Sequence, residues 1–282
     1  VRPSGAENRL GVLGWKAWRR KCHRRKEELM NTVDLNADLG EGFGSWKMAD
    51  DNALLDIVTS ANVACGFHAG DPSIMRAVCR RAADRDVAIG AHVGYADKPG
   101  FGRRFVDIEP AALRDEVLYQ IAALDAFARI AGSEVRYVKP HGALYNTIGH
   151  HEGQAAAVVE AVSDYDRRLP VLGLPGATWL RLAAEAGLTV VHEAFADRAY
   201  TREGTLVSRR LPGSVLDDGS EIARRCVAMA TGDPIADSEG GELKLQPASI
   251  CVHGDTPGAV EIARLVRQQL TDAGVTLTPF AP

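Results

Sequence analysis

No apolar stretch of this 282-residue chain approaches the roughly 20 residues that a helix needs to cross a bilayer. Cysteine is scarce: Cys22, Cys65, Cys79, Cys226 and Cys251 are scattered, with no CxxC and no zinc-ribbon spacing. That argues against a disulfide framework and a structural zinc site, and it suits a reducing cytosol. No GxxxxGK[ST] is present, so there is no P-loop, and no GxSxG, so there is no nucleophile elbow. "GEGFGS" follows a strand pattern but fails GxGxxG at its last glycine, which leaves a dinucleotide fold weakly supported. Internal repeats of 20 to 50 residues are missing too.

Charge is unevenly placed. Residues 1–29 hold nine Lys/Arg against three Glu, whereas the whole chain is −4, so residues 30–282 carry −10. An acidic body of that kind speaks against nucleic acid as a partner. The basic cluster follows the short apolar "LGVLGW" instead of preceding it, which is the wrong order for a secretory signal. "KEELM" can be encoded by a purine-rich ribosome-binding sequence ahead of an ATG, and the strand pattern begins just after Met30. The expectation is a translated basic leader over 1–29, the competing reading being a disordered basic arm, and a single domain over 30–282.

From Met30 onward strands and helices alternate. "TVDLNADL", "SANVACGF", "VAIGAHVGY", "VRYVKPHG", "PVLGLPG", "LTVVHEAF" and "ASICVHGD" read as seven strands, with "VTLTPF" as a closing extended piece. Helices fall between them. Asp71 is placed to cap one, with Pro72 at its first position; Asp50 or Asp51 starts another; a long one runs from about Ala111 to Ala131. Such alternation means parallel pairing with helical crossovers, and strands apolar on both faces are buried ones. Polar residues stand at the C-terminal end of nearly every strand. In a closed (β/α) barrel those ends share one mouth, whereas an open sheet needs them only at its switch point. The fold expected is therefore α/β, a seven-stranded (β/α) barrel.

The strand ends carry the candidate chemistry. Asp34, Asn36 and Asp38 fall on alternate positions, so they share one face, with Asp38 nearest the mouth. His68, His92, His141 and His253 each fall at a strand end, usually beside glycine. Imidazole suits proton transfer near neutral pH and metal ligation. Lys139 precedes Pro140 and His141, and can bind an anion, act as a base, or reach solvent. "GFGRRF" presents Arg103 and Arg104 on a glycine loop, which could form a lid over a carboxylate or phosphate. Cys65 and Cys251 lie on apolar strands and read as core residues.

"DLNADLGEGFG", "ANVACGFHAGDP", "AHVGYADKPGFGRR", "VKPHGALYN" and "CVHGD" together closely resemble the LamB/YcsF family, from about Thr32 to the C-terminus. The resemblance implies a barrel akin to polysaccharide deacetylases. It also implies ATP-dependent opening of 5-oxoproline to L-glutamate in company with two partner subunits, B and C, in the cytoplasm. On that basis Asp34, Asn36, Asp38, His68, His92 and His141 are the catalytic candidates. Lys139, Arg103, Arg104, Tyr145, Asn146 and His253 are the substrate-binding candidates. ATP is expected in the complex; whether this chain phosphorylates or hydrolyses is left open. A divalent metal is also left open, with Asp38, His68, His92 and His141 as its candidate ligands. A self-sufficient metal-dependent deacetylase or amidase, and a non-catalytic scaffold for B and C, are the alternatives.

Overall fold

A computed structural model describes residues 32–254 and 258–281 of the chain. The expected leader therefore lies outside the described residues. Seven strands form the central sheet: β1 (Thr32–Leu39), β2 (Ser60–Ala64), β3 (Ala88–Val93), β4 (Val135–Pro140), β5 (Val171–Gly173), β6 (Val190–Phe195) and, after a short antiparallel hairpin of β7 (Ile235–Ala236) and β8 (Glu242–Leu243), β9 (Ser249–Val252). All seven pair in parallel, and β9 pairs with both β6 and β1, so the sheet closes on itself. β10 (Thr276–Leu277) adds outside the start of β1.

Helices make the crossovers: α1 (Asp51–Leu55), α2 (Pro72–Ala83), α3 (Pro110–Ile130), α4 (Gly142–Thr147), α5 (Glu152–Asp166), α6 (Thr178–Glu185), α7 (Gly219–Thr231) and α8 (Ala259–Asp272). Local chemistry fixes their starts. The Asp71 carboxylate accepts from the backbone N–H of Ser73 and Ile74, with Pro72 at the first position of α2. Asp50, not Asp51, caps α1, accepting from Ala53 N–H. Between the barrel and the helices lies one continuous apolar core, including Leu35, Val63, Ile89, Leu113, Ile121, Val158, Trp179 and Ile250.

The barrel bore is packed, not open. Tyr137 crosses it over Gly90, where an added Cβ would lie 2.2 Å from the ring, and its hydroxyl donates to Asn62 Oδ1 at 2.6 Å. No helix among the described residues is long and apolar enough to cross a membrane.

Candidate functional site

The inward face of β1 builds a polar column. At its foot the buried Asp34 carboxylate accepts from Thr59 Oγ1 and Ser60 Oγ, both at 2.6 Å, and from Ser249 Oγ. Burial pushes its pKa up to about 6, against the pull of these three hydroxyls and of Lys139. One layer higher, Asn36 Nδ2 donates to Ser249 Oγ at 2.6 Å, and its Oδ1 accepts from Asn62 Nδ2 at 2.7 Å and Lys139 Nζ at 3.1 Å. Asp38 stands at the top, its Oδ1 accepting from Asn62 Nδ2 at 2.8 Å and Lys139 Nζ at 3.3 Å.

Lys139 reaches from β4 into the bore and is fully buried. Its Nζ lies 3.0 Å from Glu193 Oε2 and 3.1 Å from Cys251 Sγ as well. Burial alone would favour the neutral amine, but Asp38, Cys251 and Glu193 raise its pKa well above the ordinary value. Cys251 is thus no plain core cysteine: it lines the polar bore. Asp38 is held well below the usual carboxylate range despite its burial, because His92 and Lys139 stand against it.

Three of the four strand-end histidines converge beside this column. His68 and His141 stack with centroids 3.8 Å apart, and His92 meets both edge-on. The carboxylate among them is Glu41, from the loop after β1: its Oε1 is 3.2 Å from His68 Nε2, 3.3 Å from His141 Nδ1 and 3.9 Å from His92 Nε2. The expected metal set had Asp38 in that place. Instead Asp38 lies 3.4 Å from His92 Nε2, on the side facing Lys139, and its carboxylate groups with Cys251 and His253.

Hydrogen bonds set the tautomers. His92 Nδ1 faces the Lys139 carbonyl at 3.0 Å and His141 Nε2 faces the Phe101 carbonyl at 2.9 Å. A carbonyl only accepts, so both of these nitrogens carry protons. The remaining two, His92 Nε2 and His141 Nδ1, are 3.0 Å apart. As neutral rings they would oppose lone pairs, so a cation belongs between them. A proton on His92 meets that need, since the charge of Asp38 and a hydrogen bond to it raise the His92 pKa above its ordinary value against the effect of burial. Burial and the neighbouring histidines push His68 and His141 well down. A divalent ion fits the same place. The donor atoms of Glu41, His68, His92 and His141 lie within 4.8 Å of one another, and tetrahedral coordination at about 2.1 Å would space them by about 3.4 Å.

The loop after β3 covers this cluster. Phe101 adopts a left-handed φ of 54° and sets its ring edge-on to His68 and His141. Gly102 follows at φ 61°, where a Cβ would fall 2.6 Å from His68 Cβ, so only glycine lets the loop lie this close. The two arginines of the loop separate. Arg104 is tied to Asp97, while the Arg103 guanidinium lies over the Phe101 ring at 4.8 Å.

On the opposite wall His253 Nδ1 donates to Asp197 at 2.6 Å, Nε2 accepts from Arg209 Nη2 at 3.1 Å, and the ring stacks on Phe195. Tyr145 is buried against Phe195, with the Glu193 carboxylate beside its hydroxyl. Asn146 is exposed and bonds back to the Gly142 carbonyl, away from the cluster. Glu41, Asn62, Glu193, Asp197 and Arg209 are the site residues that sequence reasoning missed. Glu41 had a signal, since it stands between glycines directly after the polar strand; Glu193 and Asp197 stood in the strand end "VHEAFAD".

Residues 33–282 match the model of the LamB/YcsF family. A protein of Kocuria rhizophila, named as the A subunit of 5-oxoprolinase, is 56% identical over 252 residues, which are 89% of this chain and 100% of that protein. One of the same name from Streptomyces coelicolor is 58% identical over 249 residues, covering 88% of this chain and all of its relative. Among solved structures, the "Lactam Utilization Protein" of Thermus thermophilus superposes with a TM-score of 0.85 at 42% identity, over 88% of this chain and 100% of that one. Matched from the first polar strand to the C-terminus, and to relatives covered end to end, this chain belongs to the LamB/YcsF family.

Proposed function

We propose that this chain is the A component of an ATP-dependent 5-oxoprolinase and that it opens the lactam at the barrel mouth. The observation that carries the reading is the full-length match to relatives named for that component. The mouth suits the chemistry. 5-Oxoproline is a five-membered lactam bearing a carboxylate, and its ring closure is favourable, so opening needs coupling to ATP. Once the amide oxygen is phosphorylated, water adds to the carbon, the C–N bond breaks and the nitrogen takes a proton. The acyl phosphate that remains is hydrolysed by a second water.

Such a site needs an acid for nitrogen and a base for water. His92, kept charged by Asp38, is the acid. The depressed carboxyl of Asp38 makes it a weak base at neutral pH, so its part is to hold His92 charged and to orient water. His141, kept neutral, holds the proton shared with His92, and His68, whose buried Nδ1 has no hydrogen-bond partner, is the group left to take a proton from water. Asp34 and Asn36 support Asp38 from below. A divalent cation held by Glu41, His68, His92 and His141 would supply Lewis-acid polarisation in place of the shared proton. Partner subunits B and C complete the complex, which as a whole consumes the ATP.

The test is glutamate release from 5-oxoproline and ATP with each component omitted in turn. Turnover only in the complete mixture is expected; full turnover by B and C without this chain overturns the assignment. The convergence of Glu41 with three histidines favours a second reading, a metal-dependent amidase acting alone. Hydrolysis by the isolated, metal-loaded chain without ATP would select it.

A further inference from the structure

Two buried glutamines grip the loop that covers the histidines, and neither has a part in the chemistry above. Gln120, from α3, is fully buried. Its Oε1 accepts from the Gly94 N–H at 2.9 Å and its Nε2 donates to the Gly94 carbonyl at 3.0 Å, so one amide holds both polar groups of the residue directly after β3. Gly94 in turn lies against His68, where an added Cβ would fall 2.9 Å from Nδ1. Gln154, from the first turn of α5, is buried as well. Its Oε1 accepts from the Tyr95 hydroxyl, and its Nε2 donates to the Val106 carbonyl at 3.1 Å. Tyr95 and Val106 are the two stems of the covering loop. Burying an amide costs free energy unless it is hydrogen-bonded. Both ends of Gln154 are bonded, and both bonds go to this one loop.

Between its stems the loop is braced from within. The Asp97 carbonyl accepts from the Gly102 N–H at 2.9 Å, and the Asp97 carboxylate accepts from the Gly100 N–H at 3.1 Å and from Arg104. At its tip the loop meets the site through two bonds. The Gly102 carbonyl accepts from the Ala143 N–H at 2.8 Å, and the Phe101 carbonyl accepts from His141 Nε2 at 2.9 Å. A braced loop held only at its tip is free to pivot there. Gln120 fixes Gly94, and Gln154 then fastens the second stem to the first. We propose that Gln154 is a positioning residue: by tying Val106 to Tyr95 it keeps the Phe101 carbonyl on His141 Nε2. That bond leaves His141 Nδ1 directed at His92 Nε2, 3.0 Å away. The catalytic consequence rests on the lactam-opening reading above, in which these two nitrogens share the proton that goes to the leaving nitrogen. Gln154 acts on that proton only through the loop.

The proton on His141 Nε2 reports where the loop sits. The proton on His92 Nδ1 is the internal control, because it is donated to the Lys139 carbonyl on β4. Proton NMR of the full chain, carrying isotope-labelled histidine and freed of metal by a chelator, reads how fast each exchanges with water. In Gln154→Met, exchange at His141 should quicken by about tenfold or more relative to exchange at His92. Tyr95→Phe removes one of the two bonds of Gln154 and keeps the ring packing, so it should act in the same direction and less strongly. In the reconstituted complex, Gln154→Met should lower kcat for glutamate release by about tenfold or more, with KM within about twofold. A merely structural role would loosen the whole barrel and quicken both imidazole protons alike. That equal acceleration, unchanged exchange in both variants, or an unaltered kcat in an active complex would each overturn the proposal. Because the NMR measurement needs neither ATP nor partner subunits, failure of the unmodified complex to release glutamate leaves its result standing.

Discussion

Asp34→Asn should change how stability depends on pH more than it changes stability itself. The carboxyl titrates near 6 in the folded chain and near 3.8 when unfolded. The folded state therefore binds the proton more tightly, and the stability contributed by protonated Asp34 is fully present below pH 3.8 and lost as pH rises through 6. A gap of about two between the folded and unfolded pKa corresponds to about 3 kcal/mol over the whole window, of which about 2 kcal/mol falls between pH 4.5 and 7.5. Asparagine keeps the size and cannot titrate. It forfeits charge-assisted bonds from Thr59, Ser60 and Ser249, worth about 1.5–3 kcal/mol each when isolated, but it also escapes the burial of a charge. Urea unfolding of both chains at pH 4.5, 5.5, 6.5 and 7.5 isolates the effect, because all other groups titrate alike in the two. The variant should gain about 2 kcal/mol on the parent chain across that range. A difference that stays constant with pH would show that Asp34 is not the raised carboxyl, and the electrostatic account of the column would fail.

Lys139→Met should cost about 3–5 kcal/mol in urea unfolding at pH 7, since it leaves Asp38 and Glu193 buried without their shared cation; a loss below about 1 kcal/mol refutes the coupling. Asp38→Asn should lower turnover of the reconstituted complex by about 10²- to 10⁴-fold while formation of the complex, read by size-exclusion chromatography, is unchanged. Glu41→Gln should weaken divalent-metal binding by about tenfold or more relative to the unmodified chain, whereas Asp38→Asn should leave it nearly intact; equal losses in equilibrium dialysis would return Asp38 to the ligand set.

The barrel was legible because its signals are local. Alternation of apolar and polar residues, Pro72 after Asp71, and histidines beside glycines at successive strand ends are all read within ten residues of chain. What stayed hidden depends on distant pairing. Glu41 gains its meaning only when β2, β3 and β4 bring His68, His92 and His141 around it. Glu193 sits in an apolar strand and matters through Lys139, fifty-four residues earlier in the chain. Adjacent in sequence, Arg103 and Arg104 looked equivalent, yet Asp97 takes one and the other lies on Phe101. Short elements were missed for a related reason: α4 has six residues and the β7–β8 hairpin two per strand, too few to show a period.

The filled bore has a kinetic consequence. Tyr137 lying across Gly90, with Lys139 packed above among Asn36, Asp38 and Glu193, leaves the barrel with no through-passage. Lactam and ring-opened product must share a single doorway, so traffic is one molecule at a time and departure precedes the next arrival. On the proposed reaction, L-glutamate should therefore compete directly with 5-oxoproline, raising its apparent KM without lowering the limiting rate. Any partner seated over the mouth must also part from it, or leave a lateral gap, once in every cycle.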